Sequence, residues 1–218
     1  MVKVALLPAK LLSLAKTRLA PALSDHDRMR VAAAMFDDVL RSLQRAATLD
    51  AVIVVTADPQ LADHARTAGA LVVDEGTPRG LNGAVLLGTD TALRLGATSL
   101  VVVLSDIPLV VPADVDELTS RAPECGAVVV PSKEGTGTNA MLRRPPALFT
   151  PCFGGRSLRR HVAAAERHRV ACAIVRNVRI AFDLDTPDDL RIFAERETDT
   201  ETYRTVARVG AAMLRPSV

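Results

Sequence analysis

Short apolar runs of strand length alternate with helix-spaced segments along this whole chain, and that alternation limits the fold more than any other feature. Ser99-Leu-Val-Val-Val-Leu-Ser-Asp-Ile-Pro-Leu109 is the clearest run: β-branched residues, a stop at Ser105 and Asp106, and Pro108 barring continuation. Such a run, bounded by a turn signal, reads as a strand buried on both faces. Further strands are expected at Val2–Leu7 (ended by Pro8), Ala51–Val55, Ala70–Val73, Ala127–Val130, Ala140–Leu142, Cys172–Val175 and Arg179–Phe182. Helices are expected over 25–47 behind a Ser24 cap, 59–68, 81–95, 113–120, 157–168, from Pro187 onward, and 203–214. Strands and helices in this order specify an α/β domain, a mostly parallel central sheet with helices on both faces. Residues 1–218 read as one domain. Beyond a charged break, 195–218 forms a C-terminal helical extension suited to packing or to homodimer contact.

Composition removes several classes of function. With no Trp, one Tyr and a net charge of +2 spread over both signs, the chain offers neither a base-stacking platform nor a polyanion-binding face. Nucleic acid is therefore not an expected partner. Cys125, Cys152 and Cys172 show no CxxC spacing, which argues against a disulfide framework and a zinc site. The apolar start, Val2 to Leu7, is too short for a secretory core, and no stretch reaches the length of a bilayer. The expected setting is the cytoplasm, with no membrane partner.

In open α/β sheets, ligands sit beyond the carboxyl ends of the strands, and the chemistry-bearing residues fall there. Asp106 either caps the turn before Pro108 or faces a cation. Between Pro8 and Pro21 lie Lys10, Lys16 and Arg18, either a solvated basic loop or a phosphate site of the kind that can follow a first strand. The loop has no glycine, so it is neither a P-loop nor a dinucleotide fingerprint. Asn82, at the opening of a helix, is an N-cap or a hydrogen-bonding group for a nucleotide. Pro131-Ser-Lys-Glu-Gly-Thr-Gly-Thr-Asn139 is an anion-binding nest or a plain hairpin loop. Phe153-Gly-Gly-Arg-Ser157 brings small residues to a helix N-terminus, where free N–H groups favour phosphate or carboxylate. His161 and His168 have no spaced ligand partner and read as surface or packing residues.

Phe182-Asp-Leu-Asp-Thr-Pro-Asp-Asp-Leu190 is the second acidic landmark. Asp183 and Asp185 are two apart and share a side of an extended segment, so a cation between them would relieve their repulsion. Asp188 and Asp189, behind Thr186 and Pro187, suit the first turn of a helix and need no other role. Mg²⁺ takes oxygen ligands, commonly one or two carboxylates completed by substrate phosphates. Asp106, Asp183 and Asp185 are the candidate set. No G-x-S-x-G elbow, H-E-x-x-H or positioned Cys/His pair is present. Phosphoryl and nucleotidyl transfer need little covalent help and remain open.

Seven segments in order carry a family resemblance: Lys10 with Ala15-Lys-Thr-Arg-Leu-Ala-Pro21, Asp38-Val-Leu40, Arg79-Gly-Leu-Asn82, Ser105-Asp-Ile-Pro-Leu109, Gly135-Thr-Gly-Thr-Asn139, Phe153-Gly-Gly-Arg-Ser157 and Phe182-Asp-Leu-Asp-Thr-Pro187. The chain resembles the 2-phospho-L-lactate or phosphoenolpyruvate guanylyltransferases of coenzyme F(420) biosynthesis, which share the Rossmann-like nucleotidyltransferase fold. The resemblance implies GTP and a small phosphorylated carboxylic acid as substrates, with pyrophosphate released. It implies Mg²⁺ on Asp106, Asp183 and Asp185, the acid on Thr138, Gly154 and Ser157, and the nucleotide on Lys10, Lys16, Arg18, Gly80 and Asn82. Lys16, Arg18 and Asp106 would be the catalytic set. Phosphoenolpyruvate is the preferred acid, since the composition suits a high-GC bacterium. Alternatives are a molybdopterin or sugar-phosphate nucleotidyltransferase, a glycosyltransferase using the D-x-D pattern of Asp183 to Asp185, and a non-catalytic nucleotide-binding protein. The glycine-free first loop sets the chain apart from the wider nucleotidyltransferases and leaves triphosphate geometry open.

Overall fold

The computed structural model describes residues 1–213. Seven strands form one sheet: β1 (Val2–Ala9), β2 (Ala51–Thr56), β3 (Leu71–Asp74), β4 (Ala97–Val103), β5 (Gly126–Pro131), β6 (Thr138–Arg144) and β7 (Ala171–Ile174). Their order is β3-β2-β1-β4-β6-β5-β7. All neighbours are parallel except β6, which runs antiparallel between β4 and β5. Among the described residues the α-helices are α1 (Asp25–Arg45), α2 (Pro59–Thr67), α3 (Gly80–Arg94), α4 (Pro112–Ser120), α5 (Ser157–Arg167), α6 (Val178–Ala181), α7 (Pro187–Ala194) and α8 (Glu201–Met213).

Side-chain alternation on the strands creates two cores. Ala5 and Leu7 of β1 point to the face covered by α1, α2, α4, α6, α7 and α8, while Val4 and Leu6 point to the face covered by α3 and α5. α3 lies close to the sheet: a Cβ on Gly88 would sit 2.3 Å from a Leu6 methyl, so only glycine allows this approach. That contact brings Gly80, at the N-terminus of α3, to the carboxyl edge of β1.

Pro8 does not end the first strand. β4 pairs with β1 only as far as Leu6 opposite Val102, whereas β2 follows it to Ala9 opposite Thr56. Pro8 thus lies where one side of β1 is already free and its missing N–H leaves no ladder bond unmade. The same divergence of β1 and β4 opens the sheet at the point where strand order reverses.

Residues 179–182 are not a strand. Asn177 caps α6 by accepting from the N–H groups of Arg179 and Ile180, and Arg179 reaches Asp114 through Nε at 2.8 Å. A four-residue apolar segment carries too little periodicity to tell the two conformations apart. The expected caps of α1 and α7 hold, with Ser24 accepting from the Asp27 N–H and Thr186 from that of Asp189. The terminal helix starts at Glu201, earlier than the expected residue 203, because Asp38 of α1 accepts from the N–H groups of Glu201 and Thr202 and from the Thr202 hydroxyl. Asp38-Val-Leu40 is thus explained as an anchor for α8. Residues 214–218 of the expected extension lie outside the described residues. No helix among the described residues is long and apolar enough to cross a membrane.

Candidate active site

A cleft of about 380 Å³ opens where β1 and β4 part. Lys10, Lys16 and Arg18 line it from the loop after β1, Gly80 from α3, Asp106 from the turn after β4, and Asp185 from the segment before α7. Lys16 and Asp185, 169 apart in sequence, therefore meet at one strand edge.

Asp58 and Arg28 secure the basic loop. Asp58, which caps α2, accepts from the Leu12 N–H at 2.8 Å, and Arg28 donates to the Ala15 carbonyl at 2.8 Å. Lys16 then adopts φ +52°, a left-handed conformation uncommon for a side-chain-bearing residue, which turns its ammonium inward. Nζ lies 2.9 Å from Asp106 Oδ2 and 2.6 Å from Asp185 Oδ1. Burial alone would lower the Lys16 pKa, but the charges of Asp106 and Asp185 outweigh it and hold the ammonium above the usual lysine value. Burial likewise works to raise Asp185, and Lys16, followed by Arg18 and Lys133, more than offsets this and holds the carboxyl below its usual range. Lys10 and Arg18 stay exposed, with Arg18 Nη1 3.5 Å from Asp185 Oδ2.

Asp183 belongs to the same cluster. The Leu184 N–H donates to the Asp106 carbonyl at 3.0 Å, so the acidic segment is joined directly to the end of the β4 strand. Leu184 is fully buried while Asp183 and Asp185 on either side are not, the alternation expected for an extended segment. Asn139 donates to the carbonyls of Ile180 and Ala181 and to Asp183 Oδ1 at 3.3 Å. Lys133 donates to the Asp183 carbonyl at 2.8 Å and pairs with Asp189. Burial, and then the charge of Asp106, push the Asp183 carboxyl up.

Asp106 Oδ1 is buried without a hydrogen-bond partner among the described residues. An orphaned carboxylate oxygen whose charge is felt by a neighbouring carboxyl fits a cation held by Asp106 and Asp183. Asp185 is already committed to Lys16, and among the described residues no three His, Cys, Asp or Glu side chains gather at ligating distance.

Thr138, Gly154 and Ser157 lie beside this cleft rather than in its wall. Thr138 immediately precedes Asn139, which holds Asp183, and the Leu158 N–H donates to the Thr136 carbonyl at 3.1 Å. Ser157 is buried at the first turn of α5, and Gly154, at φ +108°, turns the chain into it. Asn82 is not the cap of α3. Arg79 occupies the cap position, and the Asn82 amide bonds both ways with the Phe153 backbone, accepting from N–H at 2.7 Å and donating to the carbonyl at 3.1 Å. It ties α3 to the 153–157 loop.

Sequence reasoning gave no separate role to Asn139 or Lys133, and its reading of His161 as a packing residue agrees with a ring buried against Phe149 and Phe153. It also missed Glu75, a nearly buried cleft carboxylate that accepts from the Arg79 N–H at 2.9 Å. Ser157 and His161 are four apart and share a helix face.

The family model "Guanylyl transferase CofC like" matches residues 3–213. A phosphoenolpyruvate guanylyltransferase of Sphaerobacter thermophilus is 39% identical over 195 residues, covering 89% of this chain and 93% of that protein. A 2-phospho-L-lactate guanylyltransferase of Methanothermobacter thermautotrophicus is 32% identical over 186 residues, covering 85% and 81%. Among solved structures, a nucleotidyl transferase of the same archaeon superposes with a TM-score of 0.68 at 16% identity, covering 88% of this chain and 95% of that one. A cytidylyltransferase from Leptospira borgpetersenii gives a TM-score of 0.60 at 14% identity over 100% and 99%. These structural likenesses establish the Rossmann-like nucleotidyltransferase fold.

Proposed function

The chain belongs to the CofC-like guanylyl transferase family, and from that premise we propose that it joins GTP to a phosphorylated three-carbon acid with release of pyrophosphate. Phosphoenolpyruvate is the favoured acid, because the relatives at 39% identity carry that name. The product would serve coenzyme F(420) biosynthesis, in the cytoplasm where GTP is held. The observation that carries the reading is the meeting of the basic loop, Asp106 and the 183–185 segment at the sheet's switch point.

In this reading a phosphate oxygen of the acid attacks the α-phosphorus of GTP. One P–O bond forms, the α–β anhydride bond breaks, and the electron pair leaves on pyrophosphate. The attacking phosphate is already ionised near neutral pH, so no general base is required. Catalysis then lies in positioning and charge neutralisation. Lys10 and Arg18, exposed at the cleft mouth, meet the β- and γ-phosphates. Lys16 supplies fixed positive charge deeper in the cleft. Gly80, whose added Cβ would meet nothing within 4 Å, leaves its backbone open to the nucleoside. Thr138, Ser157 and the Gly154 backbone hold the acid's anionic groups.

Asp106 and Asp183 are the residues suited to hold Mg²⁺, with Asp185 setting Lys16 beside them. Bound there, the ion would neutralise charge on the transferring phosphate and its leaving group. The test is direct: purified protein with GTP, Mg²⁺ and, in turn, phosphoenolpyruvate, 2-phospho-L-lactate and 3-phosphoglycerate. Pyrophosphate release with at least one acid is expected, and no release with any of them would refute the proposal.

A further inference from the structure

His161 is fully enclosed on α5, with Phe153 packed edge-on to its ring and Phe149 beside it. Its Nε2 lies 2.9 Å from the backbone N–H of Cys152, a group that can only donate. Nε2 therefore carries no proton, and a neutral ring must have its hydrogen on Nδ1. Nδ1 is 3.1 Å from Thr138 Oγ1, so the ring donates to the hydroxyl. Burial, reinforced by the charges of Arg143 and Arg160, pushes His161 down to about 4, which keeps the ring neutral at ordinary pH.

The consequence falls on Thr138. Its oxygen accepts from His161, and its own O–H proton has no acceptor among the described residues. Thr138 is only 3% exposed. A buried donor left unmatched in the free protein is costly unless a ligand supplies the acceptor. Ser157 lies one turn before His161 on the same face of α5, and Gly154 and Gly155 just before that helix are exposed. Nearby, the exposed Arg160 donates through Nη2 to the Phe153 carbonyl at 3.0 Å. Its charge favours an acceptor oxygen that is anionic.

We propose that His161 is a positioning residue: through the hydrogen bond relay from the Cys152 N–H it holds the Thr138 hydroxyl with its proton directed at a phosphate or carboxylate oxygen of the acceptor acid. The inference rests on the assignment of Thr138 to the acid site. It requires no proton transfer, since His161 keeps one tautomer throughout.

Two measurements test it. In ¹⁵N spectra of the wild-type protein at neutral pH, His161 should carry its proton on Nδ1 and none on Nε2. A ring protonated on Nε2 would overturn the inference. In steady-state assays, His161→Leu should raise KM for phosphoenolpyruvate about tenfold or more while KM for GTP changes less than about twofold. His161→Asn, whose amide nitrogen can replace Nδ1 as donor, should recover part of the loss. Thr138→Ala combined with His161→Leu should be no worse than Thr138→Ala alone. An equal rise for both substrates, or losses that multiply in the double variant, would overturn the positioning role. If the wild type releases no pyrophosphate with any acid, the proposed reaction fails, whereas the tautomer still decides the geometry at Thr138.

Discussion

Lys16→Met removes the charge that Asp106 and Asp185 share, and its effect can be worked from the structure. The Lys16 side chain is 9% exposed, against 26% for Asp106 and 34% for Asp185. Breaking a fully buried pair by removing one partner costs roughly 3–5 kcal/mol. Both carboxylates retain some solvent, which screens the exposed remainder, so about 1–2 kcal/mol is the appropriate range here. For a chain of this size, that corresponds to a fall in Tm of roughly 2–8 °C.

The pH dependence gives the sharper signature. In the wild type, Lys16 and its basic neighbours hold Asp185 below its usual range. The resulting stability is present above the unfolded carboxylate pKa and is lost as pH falls through the lower folded value. In Lys16→Met, burial of Asp185 is no longer offset by Lys16, and its folded pKa rises. The variant's stability deficit should therefore shrink as pH is lowered toward the carboxylate range. Urea unfolding at neutral and mildly acidic pH reads this difference. Activity should fall about 10²–10³-fold in kcat, the usual effect of deleting one preorganised charge donor at a reacting centre. A variant with wild-type stability and turnover, or a deficit that grows on acidification, would refute the reasoning.

Other outcomes follow from single contacts. Asp38→Ala removes the anchor of α8 and should lower stability by about 1–2 kcal/mol, seen as a lower Tm, with kcat/KM for GTP essentially retained; a specific loss of turnover at unchanged Tm would contradict the anchoring role. Asn82→Ala cuts the bridge to Phe153 and should raise KM for the acid about fivefold or more while affecting GTP less, each hydrogen bond to the backbone being worth about 1 kcal/mol. A selective rise in KM for GTP would restore Asn82 to the nucleoside. Arg18→Ala should weaken GTP most at low ionic strength, because an exposed charge is screened by salt, and nucleotide binding measured at two salt concentrations checks this.

Much of this arrangement was legible in the sequence because it depends on local signals. The Ser99–Leu109 run, the Thr186-Pro187 cap and the flanking of Leu184 by two aspartates all express strand or helix periodicity, and the structure repeats them. Pro8 misled because its tolerance depends on which neighbour pairs with β1 at that height. The 179–182 segment misled because Asp114, 65 residues away, holds Arg179 in a helical turn. Lys16 was readable as basic, but its partners lie 90 and 169 positions away, so its burial between two carboxylates was not. Asn82 and His161 illustrate the same limit. Asn82 forms both of its hydrogen bonds, and His161 one of its two, with backbone groups, and backbone groups leave no trace in residue identity.

Asp106→Asn, assayed beside the wild type for pyrophosphate release from GTP, Mg²⁺ and phosphoenolpyruvate, tests the central claim most directly. The substitution keeps size and shape while removing the charge assigned to the metal and transferring phosphate. The account predicts turnover by the wild type and a loss of about a thousandfold or more in the variant, with an unchanged circular dichroism spectrum. Equal turnover by the two proteins would remove Asp106 from the reaction and contradict the account.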